Sequence, residues 1–191
     1  MIQEFVERTT EPSDTNKYYI KTTKSGYNKC IVIDPETGSV LPNCTGYAYG
    51  RFMECQYHVT TCNLSRANAE LWYSNILDGY ERGQTPKLGA VICWSSTRSG
   101  GHVAIVERIN SDGSILTSNS AYNGSRFYTK TLKASNNYYM GKAYTFQGFI
   151  YNPTPFIPPL PPTPPTPPTP EGKGKGKFPW VLYARKLRNR N

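Results

Sequence analysis

One of the five cysteines stands at the predicted start of a helix, where a thiol is readily ionised. Cys44 follows Asn43, a residue type that favours the helix N-cap, and the stretch from Thr45 to Glu54 is predicted to continue the helix. A thiol in this position meets the positive end of the helix dipole and unpaired backbone N–H groups, which favour the thiolate. The same N–H groups are suited to hold the oxyanion of a tetrahedral intermediate.

The base that such a thiol needs is most readily found in His102, one of two histidines. His102 follows two glycines and begins the run Val-Ala-Ile-Val, which predicts an imidazole at the mouth of a strand, where the glycines leave room for a substrate. His58 lies in a connector and is interpreted as a structural or surface side chain. A thiol paired with an imidazole predicts acyl transfer. The alternative for Cys44 is a small buried apolar residue, as most free cysteines are.

The elements that must position these groups are helices first and strands second. A second helix is predicted from Asn68 to Gly83, with its apolar residues on one face: Ala69, Trp72, Ile76 and Tyr80. Five strands are predicted, at 90–94, 102–109, 115–122, 126–132 and 144–151. The hairpin turns between them are marked by Asp112-Gly113 and Asn123-Gly124. This order predicts an α+β domain with an antiparallel meander.

Three segments together resemble the CHAP family, the cysteine, histidine-dependent amidohydrolases/peptidases of bacterial and phage cell-wall lysins. Asn43-Cys44-Thr-Gly-Tyr-Ala-Tyr-Gly-Arg51 is similar to the nucleophile segment of the family, and Pro86-Lys-Leu-Gly-Ala-Val-Ile-Cys-Trp94 is similar to its first core strand. Gly101-His102-Val-Ala-Ile-Val-Glu107 resembles the strand that carries the catalytic histidine. The resemblance covers about residues 25–152 and implies a papain-like, NlpC/P60-like fold with N-terminal helices packed on an antiparallel sheet.

The function that this resemblance implies is peptidoglycan hydrolysis, either as an N-acetylmuramoyl-L-alanine amidase or as an endopeptidase. In the family a carboxylate or amide on the next strand orients the histidine, and here Asn119 stands where a Glu is usual. With a two-residue turn at 112–113, Asn119 pairs with Val106, roughly 13 Å along the strand from His102 at about 3.3 Å per residue. A twist or a bulge has to close this gap, or Asn123 takes the role. Glu107 alternates onto the opposite face and ranks below Asn119.

No metal and no cofactor is predicted. Cys55, His58 and Cys62 form a cluster that could recruit Cys30 or Cys93 to hold zinc, but its spacing matches no established finger pattern. Disulfides between Cys55 and Cys62 or between Cys30 and Cys62 stay open as alternatives. Some members of the family bind calcium through an Asp-x-Asp segment upstream of the nucleophile, and the corresponding segment 34–38 lacks this motif.

Four segments are predicted along the chain: a polar lead-in at 1–14, the CHAP-like catalytic domain at 15–152, a Pro-rich linker at 153–171 and a basic tail at 172–191. Seven basic residues and one acidic residue between Glu171 and Asn191 give that segment +6 of the formal charge of +9. The rest of the chain therefore does not predict a nucleic-acid platform. The linker repeats favour polyproline II.

The basic tail predicts a contact with an anionic surface. Pro179 suits the first position of a short helix with Trp180 and Leu187 on its apolar side, which fits an anionic wall polymer or a membrane surface, or a peg that docks into a virion protein. The first residues lack the apolar stretch of a secretory signal. We therefore expect a phage-encoded lysin that acts at the bacterial cell wall, late in lysis or from the virion. The rival expectation is a degenerate CHAP domain that serves as a structural or binding component of a phage tail.

Overall fold

The computed structural model describes residues 3–13, 15–21, 39–57, 59 and 62–157. The predictions for Cys30, His58, the segment 34–38, the linker beyond residue 157 and the basic tail lie outside the described residues.

An antiparallel sheet of six strands forms the body of the fold. Its strands are β4 (Arg82–Gly83), β5 (Val91–Ser96), β6 (His102–Ile109), β7 (Ile115–Asn119), β8 (Tyr128–Leu132) and β9 (Tyr144–Ile150). They lie side by side in the order β4-β9-β5-β6-β7-β8. Two short parallel pairs stand apart from it, β1 (Gln3–Glu4) with β10 (Phe156–Ile157) and β2 (Tyr19–Lys21) with β3 (Ser39–Leu41). The predicted α+β class and antiparallel sheet are confirmed.

The helix α1 (Cys44–Cys55) covers one face of this sheet. Its side chains Tyr47, Ala48 and Phe52 are completely buried and join a core with Val103 and Ile105 of β6. The intervening β6 residues point to the opposite face, because side chains alternate along a strand. There they form a second core with two large aromatic residues, Trp94 and Phe149. No helix among the described residues is long and apolar enough to cross a membrane.

The predicted second helix is wrong. The segment instead contains two short 3-10 turns, Ala69–Leu71 and Ile76–Asp78, and Ile76 is 71% exposed. The physical reason is Arg82, which lies near the end of the same segment. Its guanidinium donates hydrogen bonds to the backbone oxygens of three residues, Trp72, Tyr73 and Asn75, at 3.1, 2.7 and 2.6 Å. The chain therefore wraps around an arginine in place of closing helical bonds.

The N-terminal segment packs on this body through a buried ion pair. Glu107 is completely buried, and its carboxylate accepts two hydrogen bonds from the Arg51 guanidinium, at 2.9 and 2.8 Å. It also accepts the Ser118 hydroxyl at 2.6 Å and the backbone N–H of Arg8 at 2.8 Å. With Phe5 only 2% exposed, residues 3–13 are tied to both the helix and the sheet. Glu107 therefore has a structural role on the helix side of the sheet.

Candidate active site

Cys44 is the first residue of α1, and the predicted cap of this helix is confirmed. The Asn43 side-chain oxygen accepts hydrogen bonds from the backbone N–H of Thr45 at 2.8 Å and of Gly46 at 3.4 Å. It also accepts the Thr45 hydroxyl at 2.7 Å. Two of the helix-start amides that we expected to hold an oxyanion are therefore bonded to the cap. Cys44 itself is 9% exposed, at the end of the helix that faces the strand mouths.

His102 and Asn119 are joined by a hydrogen bond. The Nε2 atom of His102 lies 3.1 Å from the Asn119 amide oxygen, and both side chains are buried. Because an amide oxygen only accepts hydrogen bonds, Nε2 carries the proton in this pair. In the neutral ring, Nδ1 then holds the lone pair. The imidazole is thus fixed in the tautomer that can accept a proton at Nδ1.

A β-bulge brings these two residues together, and the predicted pairing of Asn119 with Val106 is wrong. Val106 pairs with Thr117, and the register shifts between Val106 and Arg108, so that Glu107 is the extra residue. The hairpin loop is also longer than two residues, since the Asn110 backbone N–H bonds the Ser114 oxygen at 2.8 Å. Both changes slide β7 along β6 towards His102. The distance between His102 and Asn119, which a two-residue turn would leave too long, is shortened in this way.

A further bond places the helix start beside the same pair. The backbone N–H of Asn43 donates to the Ser120 hydroxyl at 3.0 Å, and Ser120 is completely buried. Cys44 follows Asn43 in the sequence, and Asn119 precedes Ser120. This hydrogen bond therefore joins the chain segments that carry the two candidate residues. The structure gathers the helix start, the end of β7 and the start of β6 at one end of the sheet. Asn123, the alternative partner of His102, lies in an exposed turn with a φ of 54°.

Comparison with known proteins identifies this part of the chain. The family model of the CHAP domain matches residues 34–121, which include the three candidate residues. This segment is a CHAP domain. The chain is 38% identical over 80 residues to the probable autolysin SsaALP of Staphylococcus aureus. The matched segment makes up 41% of the chain and 29% of that protein. The chain is 32% identical over 118 residues to the N-acetylmuramoyl-L-alanine amidase sle1 of Staphylococcus aureus, covering 60% of the chain and 33% of that protein.

Solved structures were also found. A crystal structure of N-acetylmuramoyl-L-alanine amidase from Staphylococcus aureus is 26% identical with a TM-score of 0.44, covering 61% of this chain and 32% of that one. Ly7917 with the hydrolysing product of MDP is 16% identical with a TM-score of 0.42, covering 59% and 54%. The chain spans at most 33% of the length of the two curated relatives.

The glycines before His102 serve a different purpose from the one predicted for this CHAP domain. Gly101 has a φ of +84°, and a Cβ atom there would lie 2.5 Å from the backbone nitrogen of Glu70 and 2.5 Å from the backbone oxygen of Trp94. The Glu70 N–H also donates to the Gly100 oxygen at 2.9 Å. Gly101 therefore makes room for the protein's own backbone. This close approach fixes where β6 begins and hence where His102 stands.

The sequence did not indicate which side chains surround the histidine and the asparagine of the CHAP domain. The Asn119 amide group donates to the Thr117 hydroxyl at 3.0 Å and to the Thr117 backbone oxygen at 3.2 Å, which turns its own oxygen towards His102. The rings of Trp94 and Tyr144 lie 5.7 and 6.3 Å from the imidazole. Thr117 was in principle detectable, because it stands two residues before Asn119 on the same face of β7.

Burial sets the protonation of the imidazole. It lowers the pKa of His102 to about 4, the nearby Lys130 charge also lowers it, and the hydrogen bond with Asn119 raises it. His102 is therefore neutral at pH 7. A neutral imidazole in a fixed tautomer has the state that a general base requires.

This pKa predicts how the stability of the CHAP domain depends on pH. The unfolded chain binds a proton on His102 below about 6.5, whereas the folded chain resists it until about pH 4. The stabilisation is therefore complete above pH 6.5, and up to about 3 kcal/mol is lost as the pH falls from 6.5 to 4. Urea unfolding at several pH values measures it. His102→Gln should lose less stability than the wild type over this range, and parallel curves for the two proteins would refute the assignment.

The surroundings of the other described cysteines of the CHAP domain make their thiols unreactive. Cys55, Cys62 and Cys93 are free thiols, so the alternative disulfide between Cys55 and Cys62 is not formed. Burial raises the pKa of Cys55 to about 12 and that of Cys62 to about 11, and it raises the pKa of Cys93 further. Within the described ranges, no group of three His, Cys, Asp or Glu side chains could hold a metal ion.

Proposed function

We propose that the protein is a peptidoglycan hydrolase in which Cys44 is the nucleophile, His102 the base and Asn119 the residue that orients the base. The observation that carries this proposal is the hydrogen bond of 3.1 Å between His102 and Asn119, beside the helix that begins at Cys44. The relatives named as an N-acetylmuramoyl-L-alanine amidase and as a probable autolysin support the substrate class.

The proposed reaction is the hydrolysis of an amide in two steps. Nδ1 of His102 takes the proton of the Cys44 thiol while the sulfur bonds to the amide carbon. The imidazolium then gives this proton to the leaving nitrogen, the C–N bond breaks and a thioester remains. Water next gives a proton to His102 and its oxygen bonds to the thioester carbon. The C–S bond breaks, and the sulfur regains the proton as the carboxylic acid product leaves.

Asn119 in the place of a carboxylate changes how the base is supported. A carboxylate holds the ring and also stabilises the imidazolium by charge, whereas an amide holds the ring by its dipole alone. This difference agrees with the low pKa of His102, which burial lowers without an opposing negative charge. The site is therefore a thiol–imidazole–amide arrangement in which the imidazole is neutral before the reaction.

The bond that is cut is tested by mass spectrometry of the fragments released from purified cell walls. An amidase frees intact stem peptides with a new L-alanine N-terminus, and an endopeptidase leaves new termini within the peptide or cross-bridge. We expect new N-termini of one of these two kinds, absent from a parallel digest with Cys44→Ala. The release of reducing sugar ends alone would instead indicate glycosidase activity and contradict the proposal.

The finer proposal is that this hydrolase is a phage lysin, which acts at the bacterial cell wall and uses its basic tail to bind an anionic wall polymer, a membrane surface or a virion protein. Removal of residues 160–191 tests the tail and spares β10, which pairs with β1. A hydrolase should keep its turnover on soluble muropeptides and bind cell walls less well. Loss of wall binding from a protein without turnover would favour the degenerate binding component of a phage tail.

A further inference from the structure

Few backbone N–H groups at the start of the helix are available to the oxyanion of the proposed reaction. The N–H groups of Thr45 and Gly46 are bonded to the Asn43 side chain, and the N–H of Asn43 is bonded to Ser120. In many acyl-transfer enzymes the N–H of the residue after the nucleophile is one of the donors to the oxyanion. Here that residue is Thr45, and its N–H is already occupied by the cap.

Tyr128 stands where such a donor is needed. It is the first residue of β8 and pairs directly with Asn119 of β7, so the two side chains lie on the same face of the sheet. The preceding residue, Phe127, packs its ring against Tyr47 in the first turn of α1, with a centroid distance of 5.9 Å. Because adjacent residues of an extended chain point to opposite sides, Phe127 lies against the helix and Tyr128 faces the His102 side.

The Tyr128 hydroxyl has the chemistry of a donor that is still unused. The side chain is half-buried, and no other described residue forms a hydrogen bond with its hydroxyl. Burial raises the pKa of Tyr128 to about 12, and negative charge on Cys44 and Tyr144 raises it as well. The hydroxyl therefore stays protonated wherever the thiol and imidazole function. Its sensitivity to charge on Cys44 also means that hydroxyl and sulfur share one electrostatic environment.

We propose that Tyr128 is a catalytic residue whose hydroxyl donates a hydrogen bond to the oxyanion formed when Cys44 attacks the substrate carbonyl, an inference that rests on the proposed function. As the C–S bond forms, the π electrons of the carbonyl move to its oxygen, and the thiol proton goes to His102. Tyr128 keeps its own proton and stabilises the negative charge. When the C–N bond breaks, the carbonyl re-forms and the hydrogen bond weakens.

The test compares Tyr128→Phe with Tyr144→Phe in the full-length protein, on soluble muropeptides. Both variants lose one hydroxyl near the imidazole, since the Tyr144 ring lies 6.3 Å from that of His102 on the other side from β8. For Tyr128→Phe we expect a roughly 100-fold loss of kcat with KM changed by about twofold at most, since the lost bond acts in the transition state. Tyr144→Phe should stay within a few-fold of the wild type. Alkylation of Cys44 by iodoacetamide should be unchanged in Tyr128→Phe.

Each outcome decides the inference. A kcat of Tyr128→Phe close to that of the wild type, or an equal loss in both variants, would overturn it, as would a parallel loss of Cys44 alkylation. If Tyr128→Phe does not fold, 3-fluorotyrosine at position 128 keeps the shape with a more acidic hydroxyl, and an unchanged kcat would count against the inference. If Cys44→Ala abolishes turnover while Tyr128→Phe retains it, only this inference fails. If the wild type has no turnover, the proposed function fails and the inference with it.

Discussion

Cys44→Ala is expected to lower the clearing of purified cell walls by about 10⁴-fold or more. The nucleophile forms the bond to the substrate carbonyl, and no other described thiol stands at a helix start. The alanine side chain differs from cysteine by one sulfur atom at a position that is 9% exposed, so the fold should be retained. The rate of clearing is measured by the fall in turbidity, with circular dichroism to confirm folding.

The matched control for this prediction is Cys62→Ala. Cys62 is a partly buried free cysteine whose pKa burial raises to about 11, which keeps it protonated and weakly nucleophilic. Its replacement should leave the clearing rate within about twofold of the wild type, because it takes no part in the proposed chemistry. Equal clearing by wild type and Cys44→Ala would remove Cys44 from the mechanism.

His102→Gln is expected to lower turnover by about 10³-fold or more, because glutamine has no group that can take the thiol proton. Glutamine can still donate a hydrogen bond to the Asn119 oxygen, so the variant separates proton transfer from the structural bond. The initial rate on soluble muropeptides measures the effect.

His58→Gln serves as its control, since it makes the same exchange at the other histidine. We expect it to retain most of the wild-type rate. A similar loss in both histidine variants would point to a general effect on folding, and a His102→Gln variant with near wild-type turnover would contradict the assignment of the base.

The parts of the site that could be predicted from sequence are those fixed by local interactions. The N-cap of α1 depends on Asn43 and the backbone amides of Thr45 and Gly46, and this local pattern predicted both the helix start and the position of Cys44. The residues that follow His102 predicted both ends of β6 correctly, from 102 to 109, because apolar β-branched residues strongly favour strands.

The predictions that failed depend on side-chain contacts that the local sequence pattern does not reveal. Apolar spacing after Asn68 predicted a helix, but the Arg82 guanidinium captures the backbone oxygens that a helix would use. Asn119 does form a hydrogen bond with His102, but the predicted register was wrong, because the strand has a bulge at Glu107, whose carboxylate is bonded to Arg51, 56 residues away. Tyr128 could not be selected at all until its pairing with Asn119 was known.

The central claim is that the Cys44 thiol and the His102 imidazole act as a pair, and the rate of Cys44 alkylation against pH tests it most directly. Iodoacetamide is reacted with wild type and His102→Gln from pH 4 to 10, and the peptide that contains Cys44 is quantified by mass spectrometry. We predict that the wild type still reacts at about pH 6, because the neutral imidazole takes the thiol proton as the sulfur attacks, and that His102→Gln reacts only as the thiol ionises, with a midpoint of about 8.5. Two superimposable profiles would show that the imidazole does not act on the thiol, and would contradict the account.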